Sequence, residues 1–457
     1  MLNNENKLLN KKHILICVET NTNQTLNIQH NTDYTYIKNN FCGTVITNNE
    51  FNDANILNNT DNSFIYLCGN IQYFFEEMYG NFEKHENHEN NNLQHNKLFV
   101  IKEHSSNYLQ YVENNNLQTV TVVTTGQVPI NVYNTGVLFR NFFINDIDSN
   151  KDYFNSICDE HKFQSLTESN KPSNAYRKGI YLTNVKEEEN KLLFNLLRCS
   201  SNLDGPTENF KNTDNEIITK VNDVATYFFE QKTDLNHVLA QIYENQNIEN
   251  DKGIQVERKA RIKEHSDKTK DMASNGLMAF CTFYKDFLNN EKYNQKCYKK
   301  NNYDCFMHTD SSIFTKIRFR LKKCVVDNAN LNKSFDITLY PNSVFIMSLS
   351  TNRLYTHEII PSILPIDKIP VRMGYVVRCS KTKAIFKNEQ TYVVNDTNDI
   401  NNEYIKLQKL DENNEDDNEN IKKLKDVYYQ ENMTDELVKY DEFNFSLNDG
   451  DYKKPVV

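Results

Sequence analysis

Five apolar runs of strand length, LMAFCTFY, FTKIRFRLKK, FDITLY, SVFIMSL and MGYVVRC, succeed one another between residues 277 and 379. Each is dense in Val, Ile, Phe and Tyr, the residues that suit a pleated, largely buried surface. Upstream, NKLLFNLLRC and the 215–245 region have helical character, so helices are expected first and strands after. That order predicts an α+β domain over about residues 126–395 whose second half is an antiparallel sandwich or barrel. With only 11 Gly and 8 Pro in 457 residues, collagen-like and Pro-rich architectures are excluded.

The flanks differ in character. Residues 1–125 mix β-rich runs (HILICVE, SFIYLCGN, KLFVIKEH, TVTVVTT) with polar spacers such as KHENHENNNLQHN, and suggest no function of their own. Residues 396–457 turn rich in Asn, Asp and Glu and are expected to form a flexible acidic tail. No internal repeat is visible. Net charge is -10, yet residues 251–330 hold 17 Lys/Arg against 10 Asp/Glu, while residues 401–451 hold 6 Lys against 15 Asp/Glu. An acidic tail thus masks a basic middle segment, and Lys/Arg there could meet the phosphates of DNA or RNA.

The ten Cys contain no CxxC pair, which speaks against a zinc ribbon or a disulfide framework. No stretch approaches 18 consecutive apolar residues, and the first residues lack a convincing secretory signal, so a soluble intracellular protein is expected, in cytoplasm or nucleus. There is no GxxxxGK[ST], GxGxxG, HExxH or GxSxG pattern to support nucleotide, dinucleotide, zinc-protease or serine-hydrolase chemistry.

His-x-Asp pairs attract attention, because an imidazole and a carboxylate two residues apart on extended chain point the same way and can share a metal. The chain offers His265-Ser266-Asp267 and His308-Thr309-Asp310. A third ligand follows in His357, read as standing late in a β-like run that starts after the Pro341-Asn342 turn. Two His and one carboxylate leave positions open on Fe(II) for dioxygen and a bidentate 2-oxo acid. Arg372 and Arg378, six apart, fall on one face of a strand, where guanidinium groups can grip a carboxylate in bidentate fashion.

These residues resemble the AlkB-like family of Fe(II)/2-oxoglutarate-dependent dioxygenases. ARIKEHSDKTKDM, GLMAFCTFY, IFTKIRFRLKK, NRLYTHEI and RMGYVVR follow the family's order of His-x-Asp, strands, Arg-Leu-(aromatic)-x-His and Arg-x5-Arg. GVLFRNFF looks like the strand that opens the family's domain, FQSLTESNKPSNAYRKGIYLTNV like its substrate lid, and AQIYEN occupies the place of its Asn-x-Tyr. The likeness spans roughly residues 135–385. It implies a double-stranded β-helix (jelly-roll) core with flanking helices, iron held by His265, Asp267 and His357, and 2-oxoglutarate bound by Arg372, Arg378 and Tyr243. Strand order favours His265 over His308, since LMAFCTFY begins shortly after His265 and would be unexplained otherwise. Tyr176 and Arg177 in the lid would contact substrate. The activity implied is oxidation of 2-oxoglutarate to succinate, with hydroxylation or oxidative demethylation of an alkylated nucleic-acid base. A protein substrate, or a non-catalytic nucleic-acid-binding role on the same fold, are the alternatives. Gln241 and Gly374 depart from the family pattern, where Asn is usual.

Overall fold

A computed structural model describes residues 13–18, 32–47, 63–79, 97–106, 108, 120–143, 151–168, 171–199, 203–230, 233–287, 312–325, 330–395, 403–440 and 443–457. The chain is mixed α/β, with strands in several sheets. All five runs that opened the sequence reading are strands: Leu277–Tyr284, Lys316–Leu321, Ser334–Thr338, Ser343–Ser348 and Arg372–Arg378.

Three strands set the floor of the site. Arg372–Arg378 lies between His237–Tyr243 and Leu277–Tyr284, antiparallel to both, in the middle of the largest sheet. Their near-continuous apolar sequence follows from burial on both faces, which removes the usual alternation. On one face Val238, Ala240, Ala279, Tyr375 and Val377 pack under helices Tyr153–Glu160 and Asn212–Phe228. The longer helix presents Ile217, Val221, Val224, Ala225 and Phe228 along one stripe, all buried. Its first turn is closed by Asp214, whose carboxylate accepts the Lys211 N–H at 2.8 Å. Offset by one residue, Leu239, Gln241, Tyr243, Phe280, Thr282, Arg372, Gly374, Val376 and Arg378 face a cleft of about 900 Å³.

A second, four-stranded antiparallel sheet lies across that cleft, ordered Ile262–His265, Tyr355–Ile360, Lys316–Leu321, Ser334–Thr338. Phe319, Phe335, Tyr355 and Ile359 from it share one core cluster with Met278, Phe280, Phe345 and Met347 of the larger sheet. The cleft therefore opens between two sheets joined by a common core.

Several expectations change. NKLLFNLLRC is not helical: Lys191–Leu196 is a strand paired antiparallel with Thr382–Lys387, and Leu192, Phe194 and Leu196 alternate inward. The run satisfies both a period of two and one of 3.6, and the partner strand selects the former. In the 215–245 region the helix ends at Phe228 and the His237–Tyr243 strand follows, so helices and strands interleave. His357 does not end the run after Pro341-Asn342, because the helix Leu349–Leu354 intervenes and His357 sits inside the next strand.

The four β-rich runs before residue 125 are strands of a five-stranded, all-parallel sheet, ordered Thr44–Thr47, His13–Val18, Phe64–Asn70, Lys97–Ser106, Val120–Val123. It joins the rest of the chain through the His13 ring, stacked on Phe228 at 4.1 Å and on Phe64 at 4.9 Å, and through an Arg140–Asp33 ion pair of 3.1 Å.

Residues 403–457, expected to be flexible, carry the strand Glu403–Lys406, the helix Glu415–Gln430 and a packed cluster of Ile421, Leu424, Tyr428, Tyr440 and Phe445. The acidity has a local use. Glu415, Asp416 and Asp417 occupy the helix's first turn, where they complement its dipole, and the Asn414 side chain accepts the Asp416 and Asp417 N–H groups at 3.1 and 3.2 Å. Among the described residues no helix is long and apolar enough to cross a membrane. The KHENHEN spacer, His308 and Asp310 lie outside the described residues, as does part of the basic 251–330 segment.

Candidate metal centre

His265 and His357 meet because their strands are neighbours in antiparallel register, residue opposite residue. Their ring centroids are 4.5 Å apart. Asp267 stands two residues beyond the end of the first strand, and its Oδ1 lies 3.4 Å from His265 Nε2 and 3.9 Å from His357 Nε2. One donor atom from each of the three residues falls within 4.8 Å of the others. Donors sharing an ion at about 2.1 Å stand about 3–4 Å from one another, so the spacing fits one divalent metal.

The surroundings of the donors also fit. His265 Nδ1 is 2.9 Å from the Lys263 carbonyl, which can only accept, so Nδ1 donates there and Nε2 is the ring nitrogen turned toward Asp267. Burial, then the neighbouring His265, pushes the His357 imidazole down to about 3, which leaves it neutral, and its Nδ1 is buried without a hydrogen-bond partner. Burial alone would raise Asp267, but the Arg378 guanidinium and the two imidazoles outweigh it and hold the carboxyl well below the ordinary range. Arg378 Nε and Nη2 both donate to Asp267 Oδ2, at 3.0 and 2.8 Å, so Oδ1 is left facing the imidazoles. The smaller sheet and the loop that leaves it thus supply three donor groups, and the larger sheet supplies the cation that orients the acid.

Arg372 lines the same cleft, at the other end of the strand that carries Arg378. Its guanidinium stacks over the Tyr243 ring at 3.9 Å, and its Nε and Nη2 are buried without a hydrogen-bond partner. Gly374 keeps that space open: a Cβ there would stand 3.0 Å from Arg372 Nη1 and 3.4 Å from the Tyr243 ring. Tyr243 donates its hydroxyl to Gln241 Oε1 at 3.3 Å. An arginine with buried unsatisfied donors, facing a cavity, is built to receive a carboxylate or similar anion.

The two lid residues separate. Arg177 lines the cleft directly opposite Tyr243 in register, and its Nε is buried and unpartnered. Tyr176, at a φ of 53°, instead packs half-buried against the core, and its carbonyl accepts the Glu244 N–H at 3.0 Å. Sequence reasoning missed Asn352, Glu431 and Asn432, which hold the backbone around Asp267. Nothing marks Glu431 and Asn432 in a chain so rich in Asn and Glu, whereas Asn352 is the first residue of the NRLYTH segment.

A second His/carboxylate group, Glu160, His161 and Asp214, is already saturated. The His161 nitrogens sit 2.9 Å from Glu208 and 2.6 Å from Asp214, and Asp214 also accepts the Tyr375 hydroxyl at 2.7 Å. Burial lowers His161, but these hydrogen bonds prevail and raise it to about 9, so it is a charged clamp between two acids with no lone pair to offer. No protein-family model matches the chain, and a search of curated proteins finds no match.

Proposed function

We propose that the protein is an Fe(II)- and 2-oxoglutarate-dependent dioxygenase of AlkB-like type on a double-stranded β-helix core, acting on alkylated nucleic-acid bases. The observation that carries this reading is the convergence of His265, Asp267 and His357 beside an arginine whose donors lack partners. His265, Asp267 and His357 would hold the iron, which, with 2-oxoglutarate and dioxygen bound, supplies an oxidant for a C–H bond. Arg372 would take the far carboxylate of 2-oxoglutarate, with Tyr243 beneath its guanidinium to keep it in plane. Arg378 keeps Asp267 ionised and turns Oδ1 to the metal. The apolar floor of Leu239, Val376 and Phe280 limits water in the cleft.

The nucleic-acid assignment draws on the cleft's rim. Arg261 and Lys263 on one lip, and Lys425 on the C-terminal helix, line the cleft and are exposed, with no ion pair among the described residues. Such cations suit a chain of phosphates, with the reactive base entering the cleft. The test is turnover: purified protein with Fe(II) and 2-oxoglutarate should release succinate, and His265→Ala and His357→Ala should each abolish it. Retention of full turnover in both variants would refute the assignment. Binding to alkylated oligonucleotides should weaken with salt; indifference to salt would shift the substrate to a protein side chain.

A further inference from the structure

Residues 266–269, which carry Asp267, have no helix or strand pairing of their own, yet Ser266 and Asp267 are buried. A buried irregular segment must find partners for its peptide groups elsewhere. Here they come from side chains. The Asp267 N–H donates to Asn352 Oδ1 at 2.9 Å, and Asn352 Nδ2 donates back to the Asp267 carbonyl at 3.0 Å. On either side of that pair the partners belong to the C-terminal segment. Ser266 N–H donates to Asn432 Oδ1 at 2.7 Å, and Thr269 donates its N–H and its hydroxyl to Glu431 Oε1 at 3.0 and 2.5 Å.

Glu431 and Asn432 are themselves fixed. Glu431 is 2% exposed, and its carboxylate also accepts the Tyr440 hydroxyl at 2.7 Å. Lys322 Nζ donates to the Glu431 carbonyl at 2.5 Å and to the Thr434 carbonyl at 3.0 Å. Lys270, just past the loop, reaches the Phe443 carbonyl at 2.5 Å. The contact between loop and C-terminal segment is therefore a polar lattice, aimed at the one stretch of backbone that sets where the Asp267 carboxylate stands.

We propose that Glu431 and Asn432 are positioning residues of the metal centre, and that the segment from 403 to 457 belongs to that centre. The proposal rests on reading His265, Asp267 and His357 as metal ligands. Ser266 and Thr269 bracket Asp267, so slack at either N–H moves the carboxylate relative to the two imidazoles, whose own places are set by strand pairing. Loss of such outer contacts lowers metal affinity by about 10–100-fold.

The experiment titrates the metal-free full chain with Co(II), following its visible absorption, and measures thermal melting of the same samples without metal. Wild type should bind with a spectrum of nitrogen and oxygen ligation that His357→Ala abolishes. Asn432→Ala, which removes one acceptor and little apolar surface, should bind Co(II) about 10-fold or more weaker, with an altered spectrum. Asn432→Asp keeps the accepting oxygen and should restore binding. If Asn432→Ala does not fold, Asn432→Ser, too short to reach Ser266, is held to the same limits. An Asn432→Ala protein that binds Co(II) within twofold of wild type with an unchanged spectrum, or an Asn432→Asp protein as weak as the Ala variant, overturns the positioning role while leaving the metal centre standing. Absence of Co(II) binding in wild type, or its persistence in His357→Ala, overturns the metal centre itself and this role with it.

Discussion

Replacing Arg378 with Met should destabilise the metal-free protein severely, and the reason is visible in the burial of both partners. Arg378 is 7% exposed and Asp267 6%, and two N–H donors of the guanidinium reach one carboxylate oxygen at 3.0 and 2.8 Å. Without Arg378 the carboxylate keeps its burial and loses both guanidinium donors. Breaking a buried pair from one side costs about 3–5 kcal/mol, which for a domain of 150–250 residues is roughly 6–20 °C in melting temperature. The measurement is thermal melting in chelator, since a bound metal would supply the missing positive charge. Asp267→Asn should also destabilise, by stranding the guanidinium. The double variant should lose less than the sum of the two, by about 2–3 kcal/mol. The pH dependence has a definite sign. Asp267 is depressed in the folded protein, so its stabilisation is present above the unfolded value of about 3.9 and is lost as pH falls through the folded value. In Arg378→Met the carboxyl rises, so acidification protonates it and narrows the gap to wild type. An Arg378→Met protein melting within about 2 °C of wild type, with losses that add in the double variant, would refute the reasoning.

Three further outcomes follow from other parts of the molecule. Gly374→Ala places a methyl 3.0 Å from Arg372 Nη1 and should weaken 2-oxoglutarate binding about tenfold, measured by calorimetry, with little change in melting temperature. His161 is raised to about 9, so its stabilisation is complete below the unfolded value of about 6.5 and disappears as pH rises through about 9; His161→Gln should melt lower at pH 6 and approach wild type above pH 9. Burial lowers His13 to about 4 despite its contact with the Tyr227 carbonyl, so the unfolded chain takes up the proton first. Stability at this junction is full above about 6.5 and falls as pH drops toward 4. His13→Phe, which keeps the stack on Phe64 and Phe228, should flatten the decline of melting temperature across that window.

What the sequence carried about the site was its spacing. Arg372 and Arg378 reach one face because a strand has a period of two, and that periodicity needs no knowledge of neighbours. The pairing of His265 with His357 is different in kind. Ninety-two positions separate them, and their meeting depends on strand register, which is decided by the apolar residues of four strands acting together. Order along the chain suggested the pair; only the register brings the rings to 4.5 Å.

Composition misled most where a few residues outweigh many. The segment after 402 reads as solvated because its acids dominate any average, yet Ile421, Leu424, Tyr428, Tyr440 and Phe445 suffice for a small core once the helix Glu415–Gln430 aligns the first three. Its acids then divide by position. Those at the helix start meet water and the dipole, whereas Glu431, one residue past the helix, is buried against Thr269 and Tyr440. A local pattern cannot distinguish these two kinds of glutamate, since what buries Glu431 is the loop at 266–269, more than 150 residues away in the chain. The same physics explains why an irregular loop can hold a ligand in place at all. Its peptide groups are satisfied by side chains whose own positions are set by packing, so the rigidity that strand pairing gives His265 and His357 reaches Asp267 through Asn352, Glu431 and Asn432.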